Sequence, residues 1–251
     1  SNRLIVTRAV LTALVATVLL SACLLTRLYA FKQQFCDYQD NFSFSTDDEF
    51  RVNLLHPILL DSDVIWLAGA QPSKQQQDEQ SGQMQWIVDK VLPAQSVPDP
   101  EFDELSIEMD FQVEDEKYKL HQVRMDQRFA YVVSPDLMER HADNVCNSSW
   151  LVFGRSGEID LADADLSGQP GRQEIMDYLG QPTTSIRDDA EQSLGMRFEY
   201  RLRGSKRAQP QYSFEFWHDA QSGELLRSTA NSIRFSSTTD FVQKKLWVKI
   251  R

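Results

Sequence analysis

The chain has 251 residues, of which 41% are apolar and 25% charged, with a formal net charge of -11 and a pI near 4.8. These are ordinary values for a globular protein. The acidic balance disfavours nucleic acid and anionic membrane surfaces as partners, because both are recognised by clustered Lys and Arg.

Ala9 to Thr26 carries no charge and is bracketed by Arg8 and Arg27. As a helix rising about 1.5 Å per residue, such a stretch covers roughly 27 Å, close to the roughly 30 Å hydrocarbon core of a bilayer. Arg3 and Arg8 precede it while Arg27 and Lys32 follow it, a bias that leaves the N-terminus cytoplasmic and translocates the rest. Two fates are open. Leu20-Ser21-Ala22-Cys23 resembles the bacterial lipobox, and that resemblance implies cleavage after Ala22 and a lipid on Cys23. Against this, Leu24 to Phe31 continues apolar where a lipoprotein starts a polar tether, Tyr29 and Phe31 form an interfacial belt, and the absence of Met before Ser1 fits Met removal from an uncleaved chain. A retained signal anchor in the inner membrane is the reading adopted, with an outer-membrane lipoprotein as the alternative.

With Cys23 in that segment, Cys36 and Cys146 are the cysteines left for the folded part, and outside the cytoplasm an even pair is more often bonded than free. A disulfide between them is expected.

Further along, Phe50 to Leu54 alternates as a strand, and Ile58 to Leu60 and Val64 to Ala68 read as buried strand pieces set off by Pro57 and by Asp61-Ser62-Asp63. Gln71 to Gln85 has no apolar period and reads as a mobile loop. Leu105 to Val113 is the clearest strand, with Leu105, Ile107, Met109, Phe111 and Val113 on one face. It lies in Asp99 to Glu116, which holds nine acidic residues and no basic one. We read this run as a solvated sheet face and hairpin tip rather than a dock for a basic partner. Glu114-Asp115-Glu116 turns the chain into Tyr118 to Met125, whose apolar parity slips and implies a bulge. Phe129 to Val133 completes a meander, Ser134 and Pro135 open a short helix, and Trp150 to Phe153 is another strand.

Gly171 to Pro182 reads as a helix with Ile175, Tyr178 and Leu179 on one face, stopped by Gly180 and Pro182. Strands follow at Met196 to Leu202, at Tyr212 to Phe216, from Leu225 after the Asp219 to Gly223 turn, and at Phe241 to Ile250. The run Gly168 to Leu226 resembles the BamE-like (SmpA/OmlA) domain of small envelope lipoproteins, through Ile175, Leu179, Gly180, Pro182, Tyr200, Phe214, Phe216 and Gly223. It departs from that pattern in its long Thr183 to Leu194 linker. The resemblance implies a helix packed on an antiparallel sheet, used for protein contacts at the envelope, with no catalytic residues to transfer.

Asp163, Asp165 and Ser167 with Gly168 and Glu174 match the ligand spacing of an EF-hand calcium loop. Pro170 stands where that loop has an apolar residue, and an acidic stretch capping the following helix explains the same residues. No metal or cofactor is therefore assigned. His56, His121, His141 and His218 lie in no metal-ligand spacing and read as satisfied surface or sheet histidines. No nucleophile elbow, phosphate loop or Cys-x-x-Cys occurs, and no catalytic residue is assigned.

The expected fold is α+β: a single N-terminal membrane helix over residues 1-36, a β-rich periplasmic domain over 37-156, and a helix-plus-antiparallel-sheet, BamE-like domain over 157-251. The expected function is a non-catalytic, membrane-tethered scaffold or accessory subunit of a bacterial envelope complex. Its expected partners are other envelope protein subunits and, through residues 9-26, the bilayer; no nucleic acid and no small-molecule substrate is expected. A calcium-dependent binder or an envelope hydrolase is the alternative from a different class.

Overall fold

The computed structural model describes residues 24-46, 49-93, 96, 98-128, 145-146, 156-162, 166 and 168-250. Helix α1 (residues 24-33) leads through a 3-10 turn, Gln34–Asp37, into the short α2 (Tyr38–Asn41). Strands β1 (Phe42–Ser45) and β2 (Phe50–Leu54) precede α3 (Asp61–Ala68); β3 (Lys74–Gln77) and β4 (Ser81–Lys90) precede α4 (Pro100–Asp103). Then come β5 (Glu104–Glu114), β6 (Lys117–Met125), β7 (Ser156–Asp160) and α5 (Arg172–Leu179). The chain closes with β8 (Thr184–Asp188), β9 (Ser193–Leu202), β10 (Tyr212–Asp219), β11 (Leu225–Asn231), β12 (Phe235–Asp240) and β13 (Lys245–Ile250).

All thirteen strands belong to one antiparallel sheet of order β1-β2-β6-β5-β4-β9-β10-β11-β12-β13-β7, with β3 added beside β4 and β8 beside β9. The centre of that order is a short seam. One edge of β4 pairs with β5 from Ser81 to Asp89. Its other edge is divided, Gly82 to Gln85 facing β3 and Val88 to Lys90 facing Tyr200 to Leu202 of β9. The matching edge of β9 is divided in the same way, because Ser193 to Arg197 faces β8. Strands from the two halves of the chain thus join over a few residue pairs, and β3 and β8 satisfy the backbone groups that the seam leaves open.

Period-2 alternation explains which face is buried. Met84, Trp86 and Val88 of β4, Leu105 and Phe111 of β5, Met196, Phe198, Tyr200 and Leu202 of β9 and Phe216 of β10 belong to one buried cluster, which Leu28 of α1, Val64 of α3 and Ile175 and Leu179 of α5 join. A smaller cluster of Ile159, Leu161 and Val248 lies at the β13–β7 end. The other face is polar and paired across strands: Arg124 binds Glu108 and Asp110, Gln83 Nε2 donates to Asp110 at 3.0 Å, and Gln85 Nε2 donates to Glu108 at 2.7 Å. On this face Glu108 and Asp110 are held in place by cross-strand partners.

Several expectations are corrected. The α+β class gives way to a mostly antiparallel β fold: among the described residues strands predominate and the helices are short. Among the described residues no helix is long and apolar enough to cross a membrane. Residues 9-23 and Cys23 lie outside the described residues, as do the expected strands at Phe129 to Val133 and Trp150 to Phe153 and the helix opened by Pro135.

Val64 to Ala68 is helix, not strand. The Asp63 carboxylate accepts the Leu60 N–H at 2.9 Å, capping the first turn, and Gly69 ends the helix at φ 67°. Gln71 to Gln85 is a hairpin rather than a loop. Asp78 accepts the N–H groups of Gln80 and Ser81 at 2.8 and 2.7 Å to form its turn, and the backbone of β3 then pairs regardless of its glutamine side chains. The Thr183 to Leu194 linker contains β8, and Phe241 lies in a turn between β12 and β13. The Leu105 to Val113 strand, the bulge, here between Asp110 and Phe111 opposite Gln122 and Leu120, and the helix ending at Gly180 stand where the pattern put them.

A charged cleft where two helices meet the sheet rim

Register brings the parts of this cleft together. Phe50 and Ile107 both pair with Met125, so the residues leading into β2, the first half of β5 and the end of β6 lie side by side. Phe102 of α4 and Asp177 and Tyr178 of α5 close the opposite wall. These helices touch closely because position 180 is glycine: a Cβ there would stand 2.8 Å from that of Phe102, and the backbone sits at φ 68°.

The cavity measures about 490 Å³, and Glu49, Glu108, Asp126 and Asp177 line it together with Arg124 and Arg128. Each carboxylate is already held by a donor. Arg51 binds Glu49 at 2.5 Å, Arg124 binds Glu108 at 3.0 Å, Arg128 binds Asp126 at 2.6 Å, and Gln173 Nε2 donates to Asp177 at 2.8 Å. Burial works against the Asp126 carboxylate, but the Arg128 guanidinium and backbone N–H outweigh it and hold the group below the usual carboxylate range. Hydrogen bonding to Asp110, with the charges of Asp110 and Glu108, keeps Arg124 firmly protonated. The cleft therefore presents fixed charges with a local excess of negative sign, beside Phe102, Met125 and Tyr178.

Behind its α4–α5 wall lies a buried polar pair. Lys90, 7% exposed, donates from Nζ to the Leu179 carbonyl at the end of α5 and sits 5.2 Å from the centre of the Phe198 ring. Burial lowers its pKa to about 8; Asp103 and Asp99 oppose that shift and Arg128 adds to it. Tyr200 is fully buried, its hydroxyl makes no hydrogen bond among the described residues, and burial pushes its ionisation far upward. Thr183 ties the same corner together by donating to the Val91 carbonyl at 2.7 Å and accepting from the Glu199 N–H at 3.0 Å.

Cys36 and Cys146 are bonded, with Cα atoms 5.0 Å apart, and the bond attaches the turn after α1 to a point 110 residues along the chain. Asp163, Asp165 and Ser167 lie outside the described residues. Glu174, the last position of that spacing, accepts the Gly171 N–H at 3.3 Å and caps α5. His56 Nδ1 lies 3.2 Å from Asn41 Oδ1, His121 Nε2 lies 2.7 Å from Glu114, and His141 is outside the described residues. His218 departs from the expected satisfied histidine. It is 1% exposed, neither ring nitrogen makes a well-formed hydrogen bond among the described residues, and burial lowers its pKa despite the nearby Pro170 carbonyl.

Sequence reasoning marked Glu108 as part of the Asp99 to Glu116 run and singled out none of the cleft's other charged residues. Asp126 and Arg128 flank a strand end and carry no spacing that separates them from any exposed ion pair. No family model, no curated protein and no solved structure matches the chain.

Proposed function

We propose that this protein is a non-catalytic scaffold or accessory subunit of a bacterial envelope complex, working outside the cytoplasm and held to the envelope through its N-terminal apolar stretch. The observation that carries the reading is the charged cleft. Its carboxylates are fixed by neighbouring donors and its walls mix charge with Phe102, Met125 and Tyr178, which suits a cationic side chain of a partner protein. The Cys36–Cys146 bond supports an oxidising compartment. The resemblance of the Gly168 to Leu226 run to BamE-like domains supports protein contact as the task.

A photo-crosslinking amino acid at Tyr178, in chain expressed in its own cells and recovered in mild detergent, tests this. The expected result is a discrete adduct with an envelope protein that is lost on Asp177→Lys and kept on Lys117→Glu. Recovery as an uncrosslinked monomer, or an adduct indifferent to Asp177→Lys, overturns it.

A further inference from the structure

Four large apolar side chains are strongly exposed among the described residues: Leu25, Tyr29, Leu55 and Val242. Two of them, Leu25 at 51% and Tyr29 at 43%, stand one turn apart on the same face of α1. The opposite face of that helix is committed to the fold. Leu24, Leu28 and Phe31 pack in the main core, and the Phe31 ring meets Phe35 and Phe42 edge-on at 5.7 and 5.8 Å. Phe31, expected at a membrane interface together with Tyr29, is therefore part of the core.

Both cations of α1 turn toward the fold as well. Arg27 donates from Nε and Nη2 to the two Asp63 carboxylate oxygens at 2.6 Å each, and Lys32 is 2% exposed. The helix has no acidic residue. Its outward side chains, Leu25, Thr26 and Tyr29, are accordingly uncharged.

The chain ahead of α1 decides what covers this face. Residues 9-23 carry no charge and run directly into it. Whether that stretch stays as an anchor or is cut to leave a lipid on Cys23, a bilayer meets the chain within two residues of Leu25. Tyr29 lies about 6 Å further along the helix, which matches the roughly 5 to 7 Å of interfacial layer on each side of the hydrocarbon core. Leucine and tyrosine suit that layer, where an apolar body can be buried while a polar tip stays wet. No slack holds the fold away from it. The Arg27–Asp63 pair, Leu28 in the core and the Cys36–Cys146 bond fasten α1 near its start, at its middle and just past its end.

We propose that the outer face of α1 is seated in the interfacial layer of the bilayer with Leu25 and Tyr29 inserted, so that the sheet lies directly on the membrane rather than at the end of a tether. This rests on the proposed anchoring through the N-terminal stretch and goes beyond it by fixing which face of the fold meets lipid. Because Arg27 and Lys32 are turned inward, insertion is apolar and independent of anionic head groups, in keeping with a chain of net charge -11.

The test places p-benzoylphenylalanine at Tyr29 in the full chain, incorporated into nanodiscs of phosphatidylcholine alone or with phosphatidylglycerol. Val242, 71% exposed in the β12–β13 turn, carries the same probe as a control. Illumination and mass spectrometry should find phospholipid adducts about tenfold or more abundant at Tyr29 than at Val242, and equal in the two kinds of disc. Leu25→Glu should cut the Tyr29 adduct several-fold at an unchanged melting temperature. Incorporated chain without a lipid adduct at Tyr29, equal yields at the two positions, a yield indifferent to Leu25→Glu or dependent on phosphatidylglycerol, or an adduct with a second copy of the chain in place of lipid each overturns the seat and leaves the anchor standing. A chain that does not enter the discs overturns both.

Discussion

Lys90 shows how a single side chain is set by packing that no local pattern announces. Its ammonium is buried against Phe198 and serves the last carbonyl of α5, so the seam of the sheet and the end of a helix share one donor. With its pKa lowered to about 8, the folded chain releases this proton well before the unfolded chain does. Between about pH 8 and 10 the unfolded state therefore holds more protons, and stability rises with pH across that window. From pH 8 to 9.5 the gain should be about 1.5 kcal/mol. Urea unfolding at the two pH values should show that gain in the native chain and lose it in Lys90→Met. An equal slope in both would place the titration elsewhere. Nothing in the sequence around Lys90 distinguishes it from an exposed strand-end lysine, because its burial depends on α5, which lies 89 residues away.

At the level of elements, strong alternation was readable and weak alternation was not. β5, β9 and β10 each bury one face, and their apolar period survives in the chain. β3 and β12 bury neither face fully, so Gln75 to Gln77 and Ser236 to Thr239 hold their place through backbone pairing, which leaves no side-chain period to find. α3 was misread because a short apolar run fits a buried strand and a helix equally; the Asp61-Ser62-Asp63 start and the Gly69 stop were the available signals.

Gly195 is another element-scale feature. A Cβ there would lie 3.1 Å from the Trp217 ring, which packs flat across the glycine while its Nε1–H donates to Glu215 at 2.6 Å and Arg227 stacks 5.4 Å from the ring centre. Gly195→Val should push the indole off the strand and destabilise the fold by about 1 to 3 kcal/mol. Thermal melting with tryptophan emission checks this; an unchanged melt and an unshifted spectrum would show that the indole is free to move aside.

For the whole molecule, the Cys36–Cys146 bond is the longest-range covalent constraint described, closing a separation of 110 residues. In the chain-entropy account, a loop of that size adds about 4 to 5 kcal/mol of stability. Cys36→Ser with Cys146→Ser should lower the urea midpoint accordingly, and reductant should do the same to the native chain but leave the double variant unaffected. A midpoint indifferent to both changes would mean that the unfolded chain keeps structure that already restrains this loop. In the fold, the packing of α1 includes the Arg27–Asp63 pair, whose carboxylate is 3% exposed and bonded at 2.6 Å.

What the sequence determined by itself was local: the apolar alternation of the main strands, the Gly180 stop, the bulge within β6 and the pairing arithmetic of the cysteines. Each rests on a period or a backbone preference confined to a few neighbouring residues. The single continuous sheet, the seam between β4 and β9, and the cleft against α4 and α5 were decided by the tertiary structure alone. They depend on which strand edges meet, and an edge is made of backbone N–H and C=O groups that every residue except proline carries alike, so the side-chain period shows which face is buried but not which edge a strand will pair with.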